Sequence, residues 1–365
     1  MNENIFKQDE KALFPLRRLY RSYGYLPFKM NKFEEYDFYL QNKEFLVSDR
    51  VITFNDTDGK LLALKPDVTL SIVKNSKDIP GFKQKVYYDE NVYRVSGSTH
   101  RFREILQTGV ECIGDIDLYD LFEAISLAAQ SLRVISERYV LQISHLGILS
   151  SLLKQASNND TFILKASKCI AEKNTHDLQK LCLEYEISDE ETCNLCSFVG
   201  IYGDRKSVLT RLEPLCKTSE AKEALDVLKA LSELLDKTSY SSSIFFDFSI
   251  VNDMSYYNGI VFKGFLEGIC QGVLSGGQYD NLLRRMNRRS GAVGFALYLD
   301  LLEDLPAESD PFDVDVVLLY DETVSVSDLA ERASLLTADG KSVSAQKVVP
   351  EKLRYRSLID LRKES

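Results

Sequence analysis

The chain has 365 residues, enough for two or three domains of roughly 150 residues each, and 44% of them are hydrophobic. Charged residues make up 27%, and no apolar run approaches the roughly 20 residues that cross a bilayer, so we expect neither a membrane, a secreted nor a fibrous protein. The formal net charge of −10 argues against a broad nucleic-acid surface, although a local basic groove is compatible with it. The 7 cysteines are scattered and odd in number, which indicates free thiols in a reducing cytoplasm.

The first part of the chain predicts a helix, two hairpins and a second helix. Apolar residues recur at helical spacing over 11–25. Residues 45–73 alternate around an Asp-Gly turn, which is typical of an antiparallel hairpin. Residues 85–95 and 104–114 predict the strands of a second hairpin, and a long amphipathic helix follows from Leu118.

The second part changes character and then returns to strands. Residues 146–237 are rich in Lys, Glu, Leu and Ala with helical periodicity, which predicts an inserted helical subdomain. Strands are then predicted over 243–251, 256–265 and 268–274, before a turn at 276–277 and a helix over 279–286.

These elements predict three regions. Residues 1–145 and 238–302 would form one discontinuous core of strands and helices, interrupted by the helical insertion at 146–237. An acidic linker precedes residues 312–365, where strand, helix and strand follow one another as a short α/β tail.

The predicted strand from Ile105 to Cys112 carries a polar pair. Side chains alternate along a strand, so Gln107 and Glu111 share one face while Val110 and Cys112 share the other. The polar face either lines a pocket or is solvated. Gly109 between the two polar residues is typical of a close approach by a ligand or a neighbouring backbone.

Two further segments carry candidate binding residues. Asp67 and Thr69 follow Pro66 at a passage from strand to helix, where either residue would ordinarily cap the helix. Tyr256 and Tyr257 lie between apolar strands, where their rings could wall a cavity or simply pack.

Several other kinds of site lack the residues they need. The pair Cys193-x-x-Cys196 has no second pair at metal spacing, and residues 200–207 imitate a phosphate loop with Arg205 where glycine is required. Only 3 histidines are present, so a histidine-based triad or zinc site has little material. We therefore predict no metal and no cofactor.

Five motifs in order resemble the catalytic domain of class II histidyl-tRNA synthetases. They are the segments at 64–69, 93–111, 256–262, 276–280 and 292–296. The resemblance covers roughly residues 8–302 apart from the helical insertion. It implies an α+β fold of the class II aminoacyl-tRNA synthetase type, an antiparallel sheet flanked by helices, with the C-terminal tail as a truncated anticodon-binding domain.

The resemblance also implies a pocket for histidine. The residues at the matching positions are Asp67, Thr69, Arg94, Gln107, Glu111, Tyr256 and Tyr257. In this interpretation Asp67 and Gln107 face the α-ammonium group, and Arg94 meets the carboxylate. Glu111 accepts an imidazole N–H, and the Tyr257 hydroxyl meets the other ring nitrogen.

The groups that such synthetases use for adenylation are replaced. Asn252 and Leu301 stand where the family has arginines, and Val95-Ser96 stands where it has the end of an Arg-x-Glu motif. Two lost arginines remove positive charge that would stabilise a phosphorus-centred transition state. We expect the chain not to be an enzyme.

A histidine pocket without this machinery resembles the family of ATP phosphoribosyltransferase regulatory subunits. The resemblance implies a hetero-oligomer with a short-form catalytic subunit, whose activity and feedback inhibition by L-histidine it supports in the first step of histidine biosynthesis. It further implies a self-dimer and no binding of tRNA or membrane. The alternatives are an active histidine–tRNA ligase and a histidine-sensing interaction protein outside the pathway.

Overall fold

The computed structural model describes residues 8–46, 51–95, 101–251, 256–305, 311–349 and 351–363. Residues 9–305 form one compact unit, and the described residues from 311 onward belong to a second. Each unit is described by itself.

Helices and strands alternate along the chain. The α-helices of the described residues are α1 (Gln8–Ser22), α2 (Tyr36–Gln41), α3 (Thr69–Asn75), α4 (Leu118–Ile135), α5 (Leu146–Ala156), α6 (Asp160–Ala171), α7 (Thr175–Glu184), α8 (Asp189–Val199), α9 (Arg205–Leu212), α10 (Ser219–Leu235), α11 (Asp280–Arg285) and α12 (Val326–Ala338). The strands are β1 (Leu26–Pro27), β2 (Phe33–Glu35), β3 (Thr53–Asn55), β4 (Leu61–Leu64), β5 (Gln84–Val95), β6 (Phe102–Gly114), β7 (Tyr139–His145), β8 (Tyr202–Gly203), β9 (Ile244–Asp247), β10 (Ile260–Leu266), β11 (Leu274–Gln278), β12 (Gly291–Tyr298), β13 (Val314–Leu319), β14 (Val343–Gln346) and β15 (Tyr355–Asp360).

A nine-stranded sheet organises the first unit. Within the described residues its order is β1-β5-β6-β12-β11-β10-β7-β9-β8. The pairs β1/β5 and β7/β9 are parallel and the other neighbours are antiparallel, so the sheet is mixed. The predicted α+β fold with a sheet flanked by helices is confirmed.

One face of the sheet carries the larger core. Leu16 of α1, Leu132 of α4 and Val110 of β6 belong to one continuous cluster of buried side chains. Phe162 and Leu228 from the helices of 146–237 belong to the same cluster. These helices are therefore held to the sheet by shared hydrophobic burial.

The helices of 146–237 begin at side chains that satisfy their first backbone N–H groups. The capping residues of α5 to α10 are His145, Asn159, Asn174, Ser188, Asp204 and Thr218. Such caps contribute about 1 kcal/mol each, which explains why short helices are stable here.

The opposite face of the sheet is covered by α3, α11 and a small sheet of order β2-β4-β3. Leu70 and Ile72 of α3 pack there with Val86 of β5 and with Leu282 of α11. This second core supports the candidate site, because α3 and β5 contribute residues to both.

The predicted turn at Gly276-Gly277 is wrong. Both glycines lie inside β11, and the strand predicted over 268–274 begins only at Leu274. A Cβ on Gly276 would lie 2.4 Å from the Gly294 carbonyl oxygen, and one on Gly277 would lie 2.6 Å from that of Ile260. Glycine is required here by close packing of neighbouring backbone rather than by a turn.

The second unit contains a parallel three-stranded sheet of order β14-β13-β15. Val316 and Leu318 of β13 pack with Leu336 of α12. The strand, helix and strand expected in this tail are present, and β15 adds a strand that the sequence analysis did not predict. In the described part of the chain, no helix combines the length and apolar content needed to cross a membrane.

Candidate functional site

A cavity of about 380 Å³ lies against β5, β6, β11 and β12, a size within the range of small-molecule pockets. All seven residues predicted from the sequence line it: Asp67, Thr69, Arg94, Gln107, Glu111, Tyr256 and Tyr257. The structure therefore brings together residues from three separate segments of the chain.

Strand register explains why Gln107 and Glu111 point into the cavity. Glu111 is paired with Gly294 of β12, which is paired in turn with Gly277 of β11. Gln107 and Glu111 are only 3% and 2% exposed, while Val110 lies in the core on the other face. The expected alternation is confirmed, and the alternative of a solvated polar face is wrong.

Glycines form the floor of the cavity next to Glu111. A Cβ on Gly294 would lie 1.8 Å from Glu111 Oε2 and 2.4 Å from the Val110 carbonyl oxygen. A Cβ on Gly277 would lie 2.8 Å from Cδ1 of the Tyr257 ring. Any larger residue at these positions would displace the side chains that line the site.

The Glu111 carboxyl group is held between two hydroxyl donors. Thr69 Oγ1 donates to Glu111 Oε1 at 2.7 Å, and the Tyr279 hydroxyl donates to Oε2. Burial raises the pKa of Glu111 from 4.5 to about 8, against the opposite effect of these two hydrogen bonds. A pKa near 8 favours the protonated form of Glu111 at neutral pH.

Asp67 both caps a helix and lines the cavity. Its Oδ1 accepts a hydrogen bond from the backbone N–H of Leu70 at 2.9 Å, near the start of α3. Burial raises the pKa of the Asp67 carboxyl. The capping interpretation and the binding interpretation are thus compatible for this residue, whereas the Thr69 hydroxyl is directed to Glu111.

A second set of polar residues in the site lies around Gln107. Its Nε2 is buried and has no hydrogen-bond partner among the described residues. Tyr298 is paired with Gln107 across the sheet and interacts with Arg94, whose Nε donates to the Pro66 carbonyl at 3.0 Å. An unpartnered buried donor is costly, so this part of the cavity favours a ligand with an acceptor.

Aromatic rings form the wall opposite these polar groups. The centroids of Tyr256 and Tyr257 are 4.6 Å apart, and Tyr256 also lies 5.7 Å from Tyr279 and 6.0 Å from Phe45. Burial raises the pKa of Tyr257 far above its ordinary value, so its hydroxyl stays neutral. The wall suits a flat ring with polar edges.

Sequence reasoning did not assign Tyr279 to the site. The signal was present in the motif at 276–280, but nothing local indicates that its hydroxyl reaches Glu111, 168 positions earlier in the chain. The contact depends on the pairing of β6, β12 and β11.

The structure describes one of the two positions at which the resemblance leads us to expect a synthetase arginine. Asn252 lies outside the described residues. Leu301 packs against the larger core, and its neighbour Asp300 pairs with Arg103 at 3.2 Å between Oδ2 and Nη2. Position 301 therefore supplies no positive charge.

Nothing in the described residues forms a cluster of three or more His, Cys, Asp or Glu side chains suited to a metal ion. His145 has a structural contact instead, since its Nδ1 accepts the backbone N–H of Gly147 at 3.1 Å. Burial lowers the pKa of this imidazole to about 4, so it stays neutral.

Similarity to known proteins shows the family of this chain. A histidyl-tRNA synthetase family model matches residues 2–302. The chain belongs to the histidyl-tRNA synthetase family. Within curated proteins, an ATP phosphoribosyltransferase regulatory subunit from Oceanobacillus iheyensis is 28% identical over 310 residues, which are 84% of this chain and 74% of that protein.

Solved structures show the same fold. An ATP phosphoribosyltransferase regulatory subunit/histidyl-tRNA synthetase from Bacillus halodurans C matches with a TM-score of 0.80 at 24% identity, over 97% of this chain and 93% of that one. A chain of the ATP phosphoribosyl transferase (HisG:HisZ) complex from Thermotoga maritima matches with a TM-score of 0.64 at 20% identity, over 82% and 98% of the two chains. The chain thus resembles regulatory subunits of ATP phosphoribosyltransferase in sequence and in fold.

Proposed function

We propose that the chain is a non-catalytic regulatory subunit of ATP phosphoribosyltransferase. In this proposal it binds L-histidine and supports both the activity and the feedback inhibition of a short-form catalytic subunit. The observation that carries the proposal is the buried Glu111 carboxyl, which faces an aromatic-walled cavity in a chain that resembles such subunits.

The imidazole ring of histidine would contact Glu111 and Tyr257. Glu111 holds a proton near neutral pH and can pass it to an entering imidazole. The resulting pair is a charge-assisted hydrogen bond in a buried site, formed without a change in total charge. Both nitrogens of the resulting imidazolium are donors, so the neutral Tyr257 hydroxyl can accept a hydrogen bond from the second one.

The amino-acid end of histidine would lie near Gln107, Asp67 and Arg94. The free Nε2 of Gln107 and the Arg94 guanidinium suit the α-carboxylate. Asp67 and the Gln107 carbonyl oxygen suit the α-ammonium group. This placement gives every polar group of the ligand a partner.

The same geometry argues against adenylation. A transferring phosphoryl group needs positive charge to stabilise its transition state. Leu301 is apolar, and Arg103, which contacts the neighbouring Asp300, is held in an ion pair with it. We therefore propose that the chain forms no histidyl-adenylate and does not charge tRNA.

The remaining parts of the proposal concern assembly. The chain would work in the cytoplasm as a self-dimer within a hetero-oligomer with the catalytic subunit. The curated relative from Oceanobacillus iheyensis carries the name of a regulatory subunit, and the structural relative from Thermotoga maritima is part of an ATP phosphoribosyl transferase complex.

Reconstitution tests this proposal. The purified chain is mixed with the short-form catalytic subunit of the same genome, and the rate of phosphoribosyl transfer is measured while L-histidine is added. We expect co-elution of the two proteins, a higher rate than with the catalytic subunit alone, and inhibition by histidine. Histidine-dependent ATP–pyrophosphate exchange by the chain alone would favour the ligase instead, and histidine binding without co-elution would favour an interaction protein outside the pathway.

A further inference from the structure

An arginine cluster stands out on the surface of this acidic chain. Four arginines, Arg284, Arg285, Arg288 and Arg289, fall within six residues although the formal net charge is −10. Like charges gathered at one place destabilise a folded chain by mutual repulsion, so such a cluster calls for a function.

The local backbone keeps the four arginines close together. After α11 ends at Arg285, Asn287 adopts φ +57, and the backbone N–H of Arg288 returns to the Leu283 carbonyl at 2.8 Å. Asn tolerates this left-handed conformation better than most residues. The reversal keeps Arg288 and Arg289 beside the end of the helix.

Contacts with the end of α3 and the loop after it fix the cluster in place. Arg288 Nη2 donates to the Lys74 carbonyl at 3.5 Å, and the backbone N–H of Arg289 donates to Asp78 Oδ2 at 2.9 Å. Lys77 is exposed and adds to the positive surface, whereas the Lys74 ammonium is paired with Glu34. The cluster is therefore a fixed part of the first unit.

Three of the four arginine charges are not neutralised by ion pairs among the described residues. Within the part of the chain that the structure describes, Arg284, Arg288 and Arg289 form no ion pair. Asp78 is the carboxylate in contact with the cluster, and hydrogen bonds from Ser290 and the Arg289 backbone, together with the charge of Arg288, lower its pKa. Asp78 and the Glu34 that pairs with Lys74 are fewer than the cations, which leaves a net positive surface.

Exposed apolar side chains follow Asp78, the residue that contacts the cluster. Ile79 follows Asp78 directly and is 51% exposed, and Phe82, 55% exposed, closes the same turn by a backbone hydrogen bond to Ile79. Arginine beside exposed apolar side chains is typical of protein interfaces. The exposed apolar side chains favour a protein over a nucleic acid, because a phosphate backbone offers them no apolar contact.

We propose that the arginine cluster is the docking surface for an acidic face of a protein partner. This inference rests on the proposed function, under which that partner is the catalytic subunit of ATP phosphoribosyltransferase. Positive side chains with an apolar neighbour would steer and then hold a surface rich in Asp and Glu.

The docking surface is joined to the cavity through α11. Tyr279, which donates to Glu111, immediately precedes this helix, and Arg285 at its end lies 5.6 Å from the ring of Phe45. Phe45 also lines the cavity. A ligand at Glu111 and a partner at the cluster would therefore act on the same short helix, which is a route for coupling the two binding events.

Charge reversal tests the docking surface. The triple variant R284E/R288E/R289E is compared with wild type for binding to the catalytic subunit, at about 50 and about 300 mM NaCl. We expect a loss of affinity of about tenfold to a hundredfold at low salt, and weaker salt dependence in the variant. The neutral variant R284Q/R288Q/R289Q should lie between the two.

Controls separate docking from folding and from net charge. The variant K168E/K180E/K206E reverses three exposed lysines on the helices of 146–237. It changes the net charge by the same amount as R284E/R288E/R289E and should leave the affinity for the catalytic subunit within about twofold of wild type. Histidine binding measured by calorimetry should be retained in R284E/R288E/R289E, which shows that the chain is folded.

The outcomes distinguish this inference from the proposed function. Wild-type binding with equal binding by the reversal variant overturns the docking surface and leaves the regulatory function standing. A wild-type chain that does not bind the catalytic subunit overturns both. Binding of a tRNA transcript that is lost on reversal, with unchanged binding to the catalytic subunit, overturns the protein partner in favour of nucleic acid.

Discussion

The Glu111 side chain determines what the cavity can recognise. It is a buried carboxyl group that already accepts two hydroxyl hydrogen bonds, from Thr69 and Tyr279. Once its proton has passed to the imidazole of the proposed ligand, the carboxylate has about four acceptor positions, so a ligand N–H can be accepted in addition. Because neither hydroxyl can replace the charge, the ligand affinity depends on Glu111 itself.

Replacing Glu111 by glutamine should weaken histidine binding. Glu111→Gln keeps the size of the side chain but removes the charged acceptor, so we expect a loss of about 1.5–3 kcal/mol, roughly tenfold to a hundredfold in affinity. Calorimetry measures it, with Glu104→Gln on the exposed part of the same strand as control. Unchanged affinity in a folded Glu111→Gln chain would refute the assignment.

The pKa of Glu111 predicts how stability depends on pH. The folded chain holds this proton up to about pH 8, whereas the unfolded chain releases it near the ordinary value of 4.5. Between these values the native state binds more protons, so the free energy of unfolding falls as pH rises, by on the order of 1 kcal/mol per pH unit.

Denaturation in urea at pH 5, 6, 7 and 8 measures this dependence without histidine. We expect Glu111→Gln to have a flatter profile than wild type and to be the more stable chain at about pH 8, since it has no proton to lose. Parallel profiles for the two chains would show that Glu111 ionises in the folded state as it does in the unfolded one.

Replacing Tyr257 by phenylalanine should separate inhibition from assembly. The ring packs against Tyr256 and is retained, while the hydroxyl that would serve the ligand is lost. A neutral hydrogen bond is worth about 0.5–1.5 kcal/mol, so half-inhibition by histidine should move to concentrations a few-fold to about tenfold higher.

Histidine inhibition curves of reconstituted complexes test the role of Tyr257. Tyr139→Phe, which removes a buried hydroxyl outside the cavity, is the control and should follow the wild-type curve. Coincident curves for Tyr257→Phe and wild type would refute the pocket role, and a complex inactive without histidine would place Tyr257 in assembly instead.

At the scale of elements, the hairpin of β5 and β6 was predictable to within two residues. Alternation is a local pattern, and it indicated both the strands and the polar face that carries Gln107 and Glu111. The placement of β12 beside β6 was not predictable in this way, because the pairing joins segments about 180 residues apart through long-range packing.

The glycines of the central strands show where local reasoning failed. Gly276 and Gly277 looked like a turn, yet they lie in β11 because their neighbours leave no room for a side chain. For the same reason the sequence did not predict that Gly294 leaves the space for the Glu111 side chain. Residue type alone does not distinguish a glycine that is required for its backbone conformation from one that is required because neighbouring atoms leave no room for a side chain.

Gly294→Ala should therefore damage the site and the sheet together. The added Cβ would lie 1.8 Å from Glu111 Oε2 and 2.4 Å from the Val110 carbonyl oxygen, so both must move. We expect a loss of about 1–3 kcal/mol in the free energy of unfolding and at least about tenfold in histidine affinity.

Gly200→Ala is the matched control for this prediction. Gly200 has φ −84, and a Cβ there would meet its nearest atoms at 3.7 Å, an ordinary contact distance. Urea denaturation should show a change of under about 1 kcal/mol for Gly200→Ala. Equal stability and equal histidine affinity for both variants would contradict the tight packing at Gly294.

At the scale of the whole molecule, the polar residues of the cavity and the arginine cluster lie in different places. Seven predicted residues meet at the cavity, while Leu301 is apolar and its neighbour Asp300 is paired with Arg103. The arginine cluster at 284–289 then adds positive charge on the outer surface. This distribution supports the proposal that the chain binds a ligand and a partner without phosphoryl chemistry.

Calorimetric titration of L-histidine into the purified wild-type chain tests the central claim most directly. The account predicts saturable binding of one histidine per chain, with D-histidine and L-alanine as controls that bind far more weakly, because only L-histidine satisfies Glu111 and the Gln107 group together. An absence of binding heat up to about millimolar histidine, at two temperatures so that a zero enthalpy is not mistaken for no binding, would contradict it.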